Sequence, residues 1–325
     1  MFRDGKKVEE EGYITDIITD EAISFIDREK NKKQPFYLSV HYTAPHSPWI
    51  DCHPKKYTDL YEDCPFETCP QGETHPWAKT EVLAGYQRPR ESLIGYFAAV
   101  TAMDDNVGRI LNKLEEENLM EDTLIIFSSD NGFNCGHHGI WGKGNGTFPL
   151  NMYDSSVKVP LIMCHKGHIP ENQVCDEMHS GYDFMPTLLE YLGFENDEAD
   201  ELPGKSFLPA LMGQEHKNED GRVVVFDEYG PVRMIRSRKY KLVHRYPYGP
   251  DEFYDLEADP GETHNGIEDE QYQDMIQDMK KQMELWFLQY VDPRIDGAKE
   301  PVMGGGQRDL AGLLGPGINV YGENI

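Results

Sequence analysis

The segment from Thr123 to Lys143 (TLIIFSSDNGFNCGHHGIWGK) constrains the fold of this chain more than any other. It opens with a continuous apolar run, Leu124 to Phe127, which is the pattern of a β-strand covered on both faces. A polar, glycine-rich loop follows this run directly. Open α/β sheets bind their ligands beyond the carboxyl ends of such strands. The segment therefore predicts an α/β fold with a ligand site in this loop.

The loop carries the residue types of a site for a metal and an anion. Asp130 and Asn131 offer oxygen donors, and His137, His138 and Lys143 offer two imidazoles and an ammonium. The Asp-Asn-Gly sequence alone is better explained as a turn that ends a strand. The two histidines and the lysine that follow it favour a site.

A second polar loop, TAPHS at residues 43–47, follows another predicted strand at residues 36–42. His46 in this loop therefore lies in the same kind of place as Asp130, at the carboxyl end of a strand. Taken alone, His46 is better explained as a surface histidine between two prolines. Helical spacing of apolar residues predicts helices at 13–30 and 91–118, so helices and strands alternate along the chain.

The pattern changes after about residue 214. Short β-like segments joined by glycine and proline turns, followed by an amphipathic helix at 271–290, predict a small antiparallel sheet with one helix. We predict three parts, which are an α/β core at 1–215, the antiparallel-sheet subdomain with its helix at 216–292, and an extended glycine-rich tail at 293–325.

Charge limits the possible partners. The formal net charge of -27 argues against nucleic acid and against an anionic membrane surface. The same charge repels an anionic ligand, so local cations, a metal or helix ends must attract it. The sequence leaves the oligomeric state open.

The six cysteines do not form a disulfide framework, and the charged opening MFRDGKKVEEE lacks the apolar stretch of a signal peptide. Both features favour a cytoplasmic setting, and the localisation of the full-length protein stays open. A weaker alternative is a zinc site with loose spacing. Its candidate ligands are Cys52, His53, Cys64, Cys69 and His75.

Five stretches in order resemble the type I sulfatases of the alkaline phosphatase superfamily. They are FYLSVHYTAPHSPW, GYFAAVTAMDDNVGRIL, LIIFSSDNG with GHHGIWGKG and VKVPLIM, YDFMPTLLEYLG, and YKLVHRYPYGPDEFYDLEADPGETHN. The resemblance spans residues 13 to about 265. It implies an α/β, alkaline-phosphatase-like, mostly parallel sheet flanked by helices, with a small C-terminal antiparallel sheet plus helix.

The resemblance also implies roles for the loop residues. It implies one divalent cation, usually calcium, whose ligands include an Asp-Asn pair after a strand. A histidine and a lysine contact the sulfate, and this histidine can donate a proton to the leaving alcohol. The substrate is a sulfated small molecule or saccharide. The matching residues are His46 and Lys143 as catalytic residues, His138 and His137 as substrate-binding residues, and Asp130 and Asn131 as metal ligands.

The nucleophile motif of the family is missing from the 325 residues. Sulfatases carry Cys-x-Pro-x-Arg, whose cysteine is converted to formylglycine, and no cysteine here is followed by both Pro and Arg at that spacing. An Asp-Asp metal pair and a Gly-Lys-Trp-His segment are missing too. We therefore expect a C-terminal portion of a longer sulfatase. Alone, it should be catalytically inactive, and uncovered apolar sheet edges should make it marginal in solution.

Two alternatives remain open. A phosphodiester or phosphonate monoester hydrolase on the same scaffold commonly has Asp-His where this chain has Asp130-Asn131, so the asparagine favours a sulfatase. A non-catalytic protein that binds sulfate would keep the pocket without the nucleophile.

Overall fold

A computed structural model describes residues 2–3, 5–196, 199, 201–214, 221–227, 230–294 and 296–299. The chain forms two compact units whose segments interleave. The first unit contains Met1–Ser128, Phe133–Gly142 and Pro160–His168, and the second contains Ser129–Gly132, Lys143–Val159 and Ile169–Ile325. The three-part division at 215 and 292 stays a prediction. From residue 300 onward, the predicted tail lies outside the described residues.

Two long helices carry the first unit. It begins with a two-stranded antiparallel ribbon of β1 (Phe2–Arg3) and β2 (Lys6–Lys7). The unit also contains the helices α1 (Ile14–Glu29), α2 (Lys55–Thr58) and α3 (Pro89–Glu116). α3 contacts both α1 and α2, and fully buried Ala98 and Ala102 let the helices approach closely. The two helices predicted from apolar spacing are confirmed.

The strand of the opening segment pairs with one neighbour. β3 (Ile125–Ser128) pairs antiparallel with β4 (Leu161–Cys164). Residues 36–42 pair with no strand of the described part of the chain. β3 is therefore half-buried rather than covered on both faces, and every strand pair in the described residues is antiparallel. A pattern of apolar residues predicts a strand, but it does not specify the neighbour with which the strand pairs.

The second unit consists of short helices, a four-stranded sheet and one long helix. The short helices are α4 (Asp154–Val157), α5 (Phe184–Tyr191) and α6 (Leu208–Leu211). The antiparallel sheet has the strand order β5-β6-β7-β8, formed by β5 (Arg222–Phe226), β6 (Val232–Ser237), β7 (Tyr240–Arg245) and β8 (Glu252–Asp255). The long helix is α7 (Gln273–Tyr290). The predicted antiparallel sheet and its helix are confirmed.

This sheet is covered on both faces. Ile235 and Phe253 lie on the face that packs against Met283 of α7. Val232, Met234 and Val243 lie on the other face and pack against Leu150 and Met152. Each fully buried side chain of this kind stabilises the fold by about 1.5–3 kcal/mol. The sheet therefore anchors the segment that follows Lys143. No helix in the described part of the chain has the length and hydropathy to cross a membrane.

Candidate functional site

A compact turn follows β3 and is shaped by its own side chains. Asp130 Oδ1 accepts a hydrogen bond of 2.8 Å from the backbone N–H of Asn131. The Asn131 side chain donates from Nδ2 to the Gly132 carbonyl at 2.9 Å. Such local bonds are the usual chemistry of Asp and Asn in turns. Because Nδ2 is bonded to the Gly132 carbonyl, Oδ1 of the Asn131 amide remains as the acceptor atom.

Gly132 is required at the end of this turn. Its N–H donates to the Ser156 carbonyl at 2.9 Å. A Cβ at this position would lie 2.2 Å from the Ser155 carbonyl oxygen, closer than real Cβ contacts allow. The turn therefore packs directly on the segment that forms α4.

Lys143 lies beside the turn. Its Nζ donates a hydrogen bond of 3.0 Å to Oδ1 of Asn131, and both side chains are half-buried. Asp130 is exposed and precedes Asn131 directly. The second unit thus brings together three of the six predicted site residues, a carboxylate, an amide oxygen and an ammonium.

Asn151 connects the backbone around Lys143 to the turn. This fully buried residue lies within 3.1 Å, through Nδ2, of the carbonyl oxygens of Lys143 and Gly144. Its Oδ1 accepts a bond of 2.7 Å from the hydroxyl of Ser156, whose carbonyl holds Gly132. Sequence reasoning missed Asn151, because one amide in an apolar stretch produces no periodic signal.

A buried charge cluster contacts Met152 and Asp154, which follow Asn151 in the chain. Lys241 is fully buried, and its Nζ donates to the Met152 carbonyl at 3.0 Å and to the carboxylates of Asp154 and Glu262. Burial alone would raise the pKa of Asp154, but Lys241 and Arg236 outweigh burial and lower it. For Glu262, burial outweighs the attraction to Lys241 and raises the pKa. The cluster ties α4 to β7.

The histidines of the loop belong to the first unit. His137 donates from Nδ1 to the Asn134 carbonyl at 2.7 Å. His138 has a positive φ of 55°, which costs a non-glycine residue on the order of 1 kcal/mol and is common at functional sites. A Cβ on Gly139 would lie 1.8 Å from the Glu73 carbonyl oxygen, so only glycine fits there.

His46 is exposed on its loop. Its Nδ1 lies 2.8 Å from the Ser47 carbonyl oxygen. Because a carbonyl only accepts, Nδ1 is the donor, and Nε2 is the atom left for exchanging a proton with a ligand. Trp49 Nε1 donates to the Pro45 carbonyl at 2.7 Å and holds the loop in place.

One aromatic cluster anchors both histidine loops of the first unit. Trp49, which follows His46, and Trp141, which follows His138, are buried with ring centroids 5.8 Å apart. The same cluster contains Cys135 and Cys69. The three predicted histidines therefore lie on two loops with a common support. Convergence of these histidines and of Lys143 on one ligand stays a prediction.

The side chains of Asp130 and Asn131 have the type of ligand atom that calcium prefers, but they supply too few ligands. They offer two hard oxygen donors, whereas calcium takes about six to eight. Within the described ranges, no group of three or more His, Cys, Asp or Glu side chains is arranged to hold a metal ion. The alternative zinc site is not supported either. Cys69 packs into the aromatic cluster, and burial raises the pKa of its thiol, which disfavours the thiolate that zinc needs.

Two family models match the chain. The model described as Sulfatase matches residues 2–194, and the one described as N-sulphoglucosamine sulphohydrolase, C-terminal, matches residues 136–287. The first match alone covers more than half of the 325 residues. The two matches together include all six residues predicted for the site.

Curated relatives are similar over most of the chain. An N-acetylglucosamine-6-O-sulfatase from Bacteroides thetaiotaomicron is 27% identical over 95% of this chain and 67% of its own length. A choline-sulfatase from Rhizobium meliloti is 31% identical over 74% of this chain and 48% of its own length. The chain thus spans about half to two thirds of the length of these relatives.

A solved structure has the same fold. A protein determined in complex with its substrate, D-glucosamine-2-N,6-O-disulfate, superposes with a TM-score of 0.75. It is 24% identical, and the match covers 92% of this chain and 74% of that one. This likeness confirms the predicted α/β fold class.

Proposed function

This chain belongs to the sulfatase family, and we propose that it forms the sulfate-binding part of a sulfuric ester hydrolase. The observation that carries the proposal is the contact of 3.0 Å between Lys143 and Asn131 at the end of β3. It places an ammonium beside an oxygen donor in a chain whose net charge of -27 would otherwise repel an anion. Local positive charge at this point is what sulfate binding needs.

The residues divide the chemistry between them. Sulfate ester cleavage transfers a group whose negative charge is spread over several oxygens, and Lys143 stabilises that charge through hydrogen bonds to them. His46 donates a proton from Nε2 to the leaving alcohol. His138 and His137 contact the substrate around the sulfate.

A divalent cation, calcium, completes the proposed site. Asp130 and Asn131 would hold it with their side-chain oxygens, together with ligands beyond these two. When bound, the cation supplies further positive charge toward the sulfate oxygens. The proposed nucleophile of the complete enzyme is a formylglycine, and no Cys-x-Pro-x-Arg sequence for it occurs in these 325 residues. A polypeptide of this sequence alone is therefore proposed to bind without turnover.

The proposed substrate class is a sulfated saccharide, with a sulfated amino sugar as the first candidate. The relative named N-acetylglucosamine-6-O-sulfatase and the structural neighbour solved with a disulfated glucosamine support this choice. The choline-sulfatase relative supports a small non-sugar sulfate ester as the next candidate.

For the test, these residues are fused to an N-terminal sulfatase segment that carries Cys-x-Pro-x-Arg, and its cysteine is converted to formylglycine. The rates of hydrolysis of 6-sulfated and 6-phosphorylated N-acetylglucosamine are then compared. We expect kcat/KM for the sulfate to exceed that for the phosphate by about a hundredfold or more, or about 2.7 kcal/mol in transition-state binding. Preference for the phosphate, or for a phosphonate monoester, would assign the chain to the alternative hydrolase class. Saturable binding of the sulfated sugar without any turnover would indicate a non-catalytic sulfate-binding protein.

A further inference from the structure

Cys175 and His179 form a thiol–imidazole pair in the second unit, between β4 and α5. The Sγ of Cys175 lies 3.7 Å from Nε2 of His179, within hydrogen-bonding distance for sulfur. Cys175 is exposed and forms no disulfide. Neither residue belongs to the proposed sulfate site. The pair has the two parts of an activated thiol, a nucleophile and an adjacent base.

An aromatic ring and a carboxylate surround the imidazole of His179. The ring of His179 packs on Phe207 with centroids 4.6 Å apart and an interplanar angle of 34°. The Asp183 carboxylate interacts electrostatically with His179. This negative charge stabilises an imidazolium, which is the form that His179 takes after it accepts the thiol proton.

Two guanidinium groups reach the same segment. Arg236 lies 2.6 Å through Nη1 from the Met178 sulfur, and Arg238 donates from Nη2 to the Asp176 carbonyl at 3.4 Å. These contacts hold the segment that carries Cys175 against β6 and the turn after it.

The other cysteines lack this arrangement. Cys52 is exposed, and its thiol donates to the Ile50 carbonyl at 3.0 Å rather than to an imidazole. Cys164 is exposed within β4 and has no imidazole partner in the described residues. Cys64 is half-buried against the aromatic cluster. Cys69 and Cys135 are buried, and burial raises the pKa of both thiols. Cys175 is thus the exposed thiol that the described structure pairs with a base.

We propose that Cys175, activated by His179, is a modification site that forms mixed disulfides with small disulfides such as oxidised glutathione. The Cys175 thiol gives its proton to Nε2 of His179, and the thiolate attacks one sulfur of the small disulfide. A new S–S bond forms at Cys175 while the original S–S bond breaks. The departing thiolate takes the proton from His179. Cys175 is oxidised and the departing sulfur is reduced, so electrons and protons balance.

The test measures the reaction rate at each cysteine of the reduced, purified chain by quenching and peptide mass spectrometry. Oxidised glutathione is one reagent, and neutral 2,2′-dithiodipyridine is the second because the negative charge of the chain does not repel it. We expect Cys175 to react about threefold to tenfold faster than Cys52 and Cys164 at pH 7. The imidazole of His179 lies in contact with the Cys175 thiol and can accept its proton during attack, whereas Cys52 and Cys164 have no such base in contact within the described residues.

The variant His179→Gln keeps a polar side chain of similar size but removes the base. It should slow Cys175 to the rate of Cys164 and leave Cys52 and Cys164 unchanged. Buried Cys69 and Cys135 report on folding, because they become reactive if the variant unfolds. If the variant unfolds, the proposal is judged only by the order of the cysteine reaction rates in the unaltered chain. Equal rates at the three exposed cysteines, or an unchanged Cys175 rate in a folded His179→Gln variant, would overturn the proposal.

Discussion

Lys143 donates a hydrogen bond of 3.0 Å from Nζ to Oδ1 of Asn131, twelve residues earlier in the chain. Asn131 and Lys143 belong to the second compact unit, whereas Phe133–Gly142 between them belongs to the first. The contact therefore joins two pieces of the second unit across an excursion of the chain. Asn151 donates to the Lys143 carbonyl and accepts a hydrogen bond from the Ser156 hydroxyl. The Ser156 carbonyl in turn accepts the N–H of Gly132, so these two residues connect the two pieces.

Asn151→Ala should lower the free energy of unfolding by about 2–3 kcal/mol, because it leaves buried carbonyls and the Ser156 hydroxyl without their partner. Urea denaturation followed by tryptophan fluorescence measures the change. Asn145→Ala, at an exposed position of the same segment, is the matched control and should change stability by less than about 0.5 kcal/mol. Equal losses of unfolding free energy in the two variants would show that the hydrogen bonds of Asn151 do not stabilise this segment.

Asp154→Asn should destabilise the chain in a pH-dependent manner. Folding lowers the pKa of Asp154 because Lys241 and Arg236 outweigh its burial. A carboxyl whose pKa is lowered on folding stabilises the protein above its unfolded pKa, and this contribution is lost as the pH falls through the folded value. The free energy of unfolding of the wild type should therefore exceed that of the variant by about 2–3 kcal/mol at neutral pH. This difference should shrink below about pH 4.

Denaturation midpoints measured from neutral to acidic pH check this expectation, with the exposed Glu171→Gln as the control. A stability difference that stays constant over the whole range would show that the charge of Asp154 is not the cause.

Ile162→Lys should reduce self-association of the purified chain. Ile162 is 60% exposed on the β3–β4 pair, and the adjacent Leu161 is 42% exposed. Apolar strands exposed in this way favour association between copies. Light scattering over a concentration series measures the effect. Val174→Lys adds the same charge at an apolar loop position that is 86% exposed, and it should change association less. A monomeric wild type would contradict the expectation.

The 325-residue chain should release no sulfate from 4-nitrophenyl sulfate or from N-acetylglucosamine 6-sulfate, with or without calcium. The reason is chemical, because its sequence contains no Cys-x-Pro-x-Arg motif to supply the nucleophile. Ion chromatography of released sulfate is the measurement, and Lys143→Met serves as the control for contaminating enzyme. Turnover that disappears in Lys143→Met would show that this chain itself is catalytic.

Local patterns were sufficient to predict several elements. The apolar run before Ser128 predicts β3, helical spacing predicts α1 and α3, and the turn-rich segments after residue 214 predict the antiparallel sheet with α7. Residue types after β3 also led to Asn131 and Lys143, which the structure brings together. These features depend on neighbouring residues, so the sequence alone reveals them.

Features that depend on distant contacts were not predictable. Residues 36–42 have a strand pattern, yet pairing requires a neighbouring strand that no local pattern specifies. Lys241 lies in a strand sequence, YKLVHR, that offers no sign of full burial between Asp154 and Glu262. Asn151 acquires its role only from the carbonyls that the fold places around it.

Lys143 is the group proposed to bind the sulfate, and its removal tests the proposed site most directly. Isothermal titration of N-acetylglucosamine 6-sulfate into the chain, with calcium present, tests it. Loss of a charged hydrogen bond costs about 1.5–3 kcal/mol, so Lys143→Met should weaken binding by roughly 10- to 100-fold. Lys158→Met, at an exposed lysine of the same unit, should leave the affinity unchanged. Equal affinities in Lys143→Met and Lys158→Met, or no saturable binding by the wild type, would contradict the role of Lys143 in sulfate binding.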